Sequence, residues 1–222
     1  LDELWAEFEN IKNNKNKLPE FHKKISQLKF LDPACGCGNF LVITYRELRL
    51  LELEILRATY KNGQGVLDVS DIIWLDVDMM CGIEYEEFPA RIAEVAMWLI
   101  DHQMNMLISN EFGQYFARLP LKKSAKIVHG DALEVNWEEV VSKNDLSYII
   151  GNPPFIGSKI MSQFQRDQIV KEFENIQGSG VLDYVTGWYL KAAKYIQNTK
   201  IKAAFVSTNS IVQGEQTSIL WG

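Results

Sequence analysis

Three cysteines in 222 residues are too few, and odd in number, for a disulfide framework. No second Cys pair accompanies Cys35 and Cys37, and the three histidines, His22, His102 and His129, stand at no ligand spacing. No metal site is therefore expected. No apolar run reaches the roughly 18 residues that a membrane span needs, and no basic-then-apolar leader opens the chain. The cytoplasm is the expected location, with no membrane partner. Positive charge is also in deficit, 23 Lys and Arg against 29 Asp and Glu, for a net charge of −6. That balance argues against a protein that coats nucleic acid by electrostatics alone, although a DNA-reading enzyme often carries its basic surface in a separate module. Lys12, Lys15, Lys17, Lys23, Lys24 and Lys29 cluster near the start and read as a solvated face.

What remains is an ordinary globular composition, 47% hydrophobic and 23% charged. Leu1, Leu4, Trp5, Phe8 and Ile11 recur at helical spacing, and Phe21, Ile25 and Leu28 resume it after a polar loop. Residues 1–28 are thus expected to form a helical extension. Short apolar strands are predicted at 29–33, 81–85, 125–129, 146–150 and 203–207. Long helices are predicted at about 40–60 and 87–107, a weak one at 137–141, and two more near 162–175 and 184–197. Residues 61–65 and 110–120 read as a loop and an excursion, and 66–80 as an insertion with some strand content. Strands alternating with helices predict an α/β domain over 29–222, a mostly parallel sheet covered on both faces.

The chemistry-bearing residues fall at predicted strand carboxyl ends, where such sheets bind ligands. After the first strand, Gly36 and Gly38 make a strand–turn–helix suited to close backbone approach. Leu41 occupies the place of the third glycine of a dinucleotide fingerprint, which weighs against a nicotinamide oxidoreductase. Glu84 ends the second strand, where a carboxylate accepts two ribose hydroxyls. It lies farther from the glycines than the usual 20 or so residues, so Asp76 and Asp78 stay open as alternatives.

After the fourth strand stands Asn152-Pro153-Pro154-Phe155. The prolines fix the backbone and remove two N–H donors, which leaves carbonyl oxygens beside an amide side chain. Two acceptors, the Asn152 side-chain oxygen and the Pro153 carbonyl, suit the two hydrogens of an exocyclic base amine whose lone pair is otherwise delocalised. Phe155 offers a face on which a flipped base stacks, worth roughly 1–3 kcal/mol.

Asp32-Pro33-Ala34-Cys35-Gly36-Cys37-Gly38-Asn39-Phe40 resembles the cofactor loop of adenine-N6 DNA methyltransferases, with Cys37 in place of the usual Ser. Asn152-Pro153-Pro154-Phe155 resembles catalytic motif IV of the amino-methyltransferases. The segments 85–99, 205–211 and 214–216 look like those of the MmeI-like restriction–modification fusions, in the gamma order of motifs. The resemblance implies a Rossmann-like methyltransferase fold that binds S-adenosyl-L-methionine and methylates a flipped adenine in double-stranded DNA. By the same resemblance Asp32 would accept from the cofactor's methionine amine, Gly36 and Gly38 would leave room for that end, and Phe40 would pack nearby. Asp131, in Gly130-Asp131-Ala132, fits the contact to the cofactor's adenine amine, although a lone Asp after a strand is also a common helix cap. A nuclease and a target-recognition domain are expected in the same polypeptide, and the chain is expected to stop before the last two strands of a seven-stranded sheet. The shared rim chemistry leaves a cytosine-N4, RNA or protein-glutamine methyltransferase open, as well as a non-catalytic cofactor-binding module. Transfer is expected to be direct, with neither Cys35 nor Cys37 as a nucleophile.

Overall fold

A computed structural model of the chain describes residues 1–60, 68–116, 124–174, 176–213 and 216–220. The expectations for 61–65, for 66 and 67, and for part of 110–120 lie outside these. Five strands run parallel in one sheet: β1 (Phe30–Asp32), β2 (Met80–Glu84), β3 (Lys126–His129), β4 (Tyr148–Gly151) and β5 (Lys202–Phe205). Their order is β3-β2-β1-β4-β5, so the sequence of strands reverses direction between β1 and β4. A crevice opens outside the carboxyl ends of the strands at such a reversal.

Strand side chains alternate between two apolar clusters, which shows that both faces are covered. Phe30, Met80, Ile127 and Tyr148 pack with helices α1 (Asp2–Ile11), α2 (Leu18–Ser26), α3 (Asn39–Thr59) and α4 (Glu87–Phe112). Leu31, Cys81, Val128 and Ile149 pack on the other side with α5 (Trp137–Val140), α6 (Gln163–Glu172) and α7 (Thr186–Ile196). A last short helix, α8 (Gln216–Leu220), follows β5. This is the α/β architecture that the element order predicts, a parallel sheet covered on both faces. The apolar face foreseen on α3, from Leu41 and Tyr45 to Ile55 and Leu56, is buried throughout. Each such leucine contributes roughly 1.5–3 kcal/mol by leaving water. Leu4, Phe8, Leu18, Phe21 and Ile25 of α1 and α2 belong to the same cluster as α3 and the sheet. Among the described residues no helix is long and apolar enough to cross a membrane.

Two local expectations need correcting. Residues 68–80 hold no strand before β2; they form 3-10 turns at Val69–Asp71 and Val77–Met79. Val69, Ile73, Leu75, Val77 and Met79 are buried at odd positions, a spacing that mimics a strand. Asp68 and Asp76 instead cap the turns, accepting from the Ser70 and Val77 N–H groups, both at 2.8 Å. Helix α4 also runs past the expected end at 107 to Phe112, carried by the burial of Ile108 and Ser109.

Between α3 and α4 lies a buried ionic network. The Arg49 guanidinium donates to Tyr45 (2.8 Å), Asp101 (2.8 Å) and Asn105 (2.7 Å), and pairs with Glu52 at 3.0 Å. Glu52 also pairs with His22 at 2.8 Å and accepts the N–H groups of Trp74 and Leu75. Burial alone would raise the Glu52 carboxyl, but the His22 hydrogen bond and the Arg49 charge outweigh it and hold it below the usual range. This network ties α2, α3, α4 and the 74–75 segment together.

Candidate active site

The carboxyl ends of four strands meet at one crevice, whose wall holds Glu84 but neither Asp32 nor Gly151 among the described residues. β1 ends on Asp32, β2 on Glu84 and β4 on Gly151, while Asp131 follows β3 by two residues. A cavity of about 520 Å³ opens there, and its wall includes Pro33, Ala34, Glu84, Asp131, Ala132, Asn152 and Pro154. Asp32 and Asn152 thus stand at the ends of the two adjacent strands that flank the reversal in strand order.

The loop after β1 turns because Gly36 and Gly38 adopt positive φ, 54° and 86°. Gly38 is the N-cap of α3, and its missing side chain lets the turn lie against Ala93, where a Cβ would come within 3.2 Å. Cys35 packs buried beneath the turn, and its burial pushes the thiol up, away from a nucleophilic thiolate. Cys37, Asn39 and Phe40 are exposed; Asp32, Cys35, Gly36, Gly38, Asn39, Phe40 and Pro153 are not among the described residues of the cavity wall. Pro33 is held by α7, its carbonyl accepting the Trp188 indole N–H at 3.0 Å.

Asp32 is 1% exposed. Its Oδ1 accepts the Ala34 N–H at 3.0 Å, while Oδ2 is buried with no partner among the described residues. Burial pushes this carboxyl up to about 7, against the Ala34 hydrogen bond that lowers it, with the charge of Glu84 adding to the rise. Its approach to β4 is tight: a Cβ on Gly151 would stand 2.6 Å from Asp32 Oδ1. Glu84 uses one oxygen for the Gly36 N–H (2.8 Å) and the other for the Glu86 N–H (2.9 Å). Each oxygen keeps a lone pair for a ligand. Asp76 and Asp78 precede β2, at the opposite end of that strand, and do not line the cavity.

After β4 the ladder stops. Val206 N–H closes on the Gly151 carbonyl at 2.9 Å, and the prolines that follow have no N–H to continue pairing. The Asn152 side chain is exposed at the wall and makes no hydrogen bond with the described residues; Pro153 is buried, and Phe155 stands 43% exposed outside the wall. Not foreseen from sequence are further residues of the cavity wall, among them Tyr85, Ile156, Phe164, Gln165, Tyr184 and Trp188. Helical periodicity had marked the regions of α6 and α7 without telling core from cleft. No Lys or Arg is among the described residues that line the cavity, whereas Glu84, Glu86 and Asp131 are. Such a wall suits amines and hydroxyls and disfavours the pyrophosphate of a dinucleotide.

Residues 8–222 match the family described as MmeI, DNA-methyltransferase domain. DNA methyltransferase A of Bacillus subtilis strain 168 is 37% identical over 224 residues, covering all of this chain and 25% of that protein. The structure of the type IIL restriction–modification enzyme MmeI in complex with DNA superimposes with a TM-score of 0.95 at 57% identity, over 99% of this chain and 30% of that one. The ATP-dependent type ISP enzyme LlaBIII bound to DNA shares the fold at a TM-score of 0.58 and 16% identity, over 88% of this chain and 14% of its own. The chain therefore spans 25% of the length of the Bacillus subtilis protein and 30% of the length of the MmeI chain.

Proposed function

The chain belongs to the MmeI DNA-methyltransferase domain family, and from that premise we propose that it methylates the N6 amine of a flipped adenine in double-stranded DNA, using S-adenosyl-L-methionine, within a restriction–modification protein. Residues 29–222 are the catalytic domain in this reading and 1–28 its helical extension. The nuclease and target-recognition domains belong to the same polypeptide.

The observation that carries the reading is the pairing, across the reversal in strand order, of an unsatisfied buried carboxylate with an unengaged amide. Asp32 Oδ2 lacks a partner, and a ligand ammonium supplies the charge and donors it needs. Glu84 would hold the ribose hydroxyls and Asp131 the adenine amine of the cofactor, with Ala132 beside it. When bound, S-adenosyl-L-methionine supplies an electrophilic methyl group on a sulfonium. The Asn152 side-chain oxygen and the Pro153 carbonyl accept the two hydrogens of the target amine, which frees its lone pair toward the donor. Phe155, exposed beside them, stacks on the extruded base. Catalysis then comes from positioning and from acceptor bonds that strengthen as the nitrogen becomes positive.

The test is Asn152→Ala, with methylated nucleosides identified by mass spectrometry and S-adenosylhomocysteine affinity measured by calorimetry. Loss of roughly 10²-fold or more in N6-methyladenine formation is expected, with affinity changed less than about threefold. Undiminished turnover refutes the role of Asn152. Methyl groups found on cytosine N4 instead reassign the substrate.

A further inference from the structure

We propose that Gln168, on α6, is a positioning residue that makes Asp131 selective for a 6-amino purine. The inference rests on the cofactor reading above and deepens it.

Asp131 is constrained on both oxygens. Oδ1 accepts the Leu133 N–H at 2.9 Å, the local capping bond that an Asp after a strand commonly makes. Oδ2 accepts from Gln168 Nε2 at 2.7 Å, a contact between residues 37 apart in sequence. Gln168 is 5% exposed, and its other amide atom, Oε1, accepts the Tyr184 hydroxyl at 2.7 Å. Tyr184 lines the cavity with Asp131.

The direction of this chain follows from chemistry. An ionised carboxylate only accepts, so the amide must turn its NH₂ toward Asp131. Its carbonyl then faces Tyr184, which must donate. Burial pushes the Tyr184 hydroxyl up, so the donor keeps its proton at any working pH. Asp131 is thereby held at a fixed rotation with only acceptor lone pairs left over. Such a group welcomes the N–H of a 6-amino purine and repels the carbonyl of a 6-oxo purine. A carboxylate bound only by the Leu133 N–H could rotate and recruit water, and would discriminate less.

Helix α6 adds a second consequence. Its N-cap Ser162 and first-turn Phe164 and Gln165 line the same cavity, fixed by a reciprocal capping box between Ser162 and Gln165. One helix thus carries both the support of Asp131 and part of the cavity wall to which Asn152 belongs.

The experiment compares the affinities of S-adenosylhomocysteine and its 6-oxo counterpart, S-inosylhomocysteine, by calorimetry in the parent chain and in Gln168→Leu, Gln168→Glu and Asp131→Asn. The parent is expected to prefer the amino compound, and both Gln168 variants to lose about tenfold of that preference, the scale of one hydrogen bond to a charged group. Affinity for the inosyl compound should change less than about threefold, since that ligand gains nothing from the oriented acceptor. Gln168→Leu removes both amide atoms, and Gln168→Glu keeps the side-chain shape but sets a second carboxyl beside Asp131. Equal weakening of both ligands, or an intact preference in Gln168→Leu, overturns the proposal and leaves Gln168 a packing residue. If the parent binds neither compound, or Asp131→Asn keeps the full preference, the assignment of Asp131 to the purine amine fails, and this inference with it.

Discussion

Replacing Asp32 with Asn should stabilise the ligand-free protein at neutral and alkaline pH while lowering its affinity for the proposed cofactor. The carboxyl is 1% exposed, has one oxygen without a partner, and is raised from its ordinary 3.8 to about 7. Because the folded value lies above the unfolded one, the unfolded chain gives up this proton first as pH rises. Stability tied to Asp32 is therefore complete below about pH 4, falls between 4 and 7, and is lost above 7. Raising the carboxyl from 3.8 to about 7 corresponds to roughly 4 kcal/mol as an upper bound, so about 2–4 kcal/mol is the expected range. An amide mimics the protonated acid and retains an acceptor for the Ala34 N–H. Urea denaturation should thus find the two proteins alike at pH 4, with the Asp32→Asn variant favoured by about 2–4 kcal/mol at pH 8. Taking the difference cancels every other titrating group common to both. S-adenosylhomocysteine affinity should fall by roughly 10- to 100-fold in the variant, the worth of a bond between two charged groups. A variant no more stable than the parent at pH 8, or a difference that is flat with pH, refutes the account of Asp32 as a strained acceptor awaiting a cation.

Arg49→Met takes from the buried Asp101 and Glu52 the guanidinium they share and should cost roughly 3–5 kcal/mol by denaturant unfolding. A cost below about 1 kcal/mol would mean the two acids had found other partners. Gly151→Ala places a Cβ 2.6 Å from Asp32 Oδ1, so that side chain or β4 must shift. A stability loss of about 1–3 kcal/mol is expected, with weaker S-adenosylhomocysteine binding in calorimetry. Unaltered binding would show that Asp32 tolerates displacement. Trp188→Phe removes the donor to the Pro33 carbonyl, and its loss should weaken the same ligand several-fold, since about 1–3 kcal/mol rides on a buried acceptor left alone. An unchanged dissociation constant would detach Trp188 from the site.

How much of this was legible follows from what each signal is made of. Strand ends carry local markers, so Asp32-Pro33, Glu84, Gly130-Asp131 and Asn152-Pro153-Pro154 could be placed on one rim from composition and spacing alone. The sheet then needed only its order to bring them together, and the order came from the structure. The 68–80 segment misled because burial at alternate positions is shared by strands and by irregular chain that plugs into a helix pair, as Val69 and Ile73 do against α3 and α4. Nothing local separates those cases, since the difference lies in where the backbone hydrogen bonds go. Polar groups buried between helices were equally opaque. Arg49, Glu52 and Asp101 have the composition of a solvated face, and only the crossing of α3 and α4 makes them one another's partners.

Gln168 shows the same limit at the site itself. In sequence it is one polar residue on a polar helix, and a reader would leave it in solvent. Its burial follows from α6 lying between Asp131 and Tyr184, two residues whose own chemistry demands a donor on one side and an acceptor on the other. Among neutral side chains a primary amide supplies both at once in a fixed geometry. The identity of residue 168 is thus dictated by two partners distant in sequence. The residues proposed to contact a ligand are accordingly readable from motifs, while those proposed to aim them required the fold.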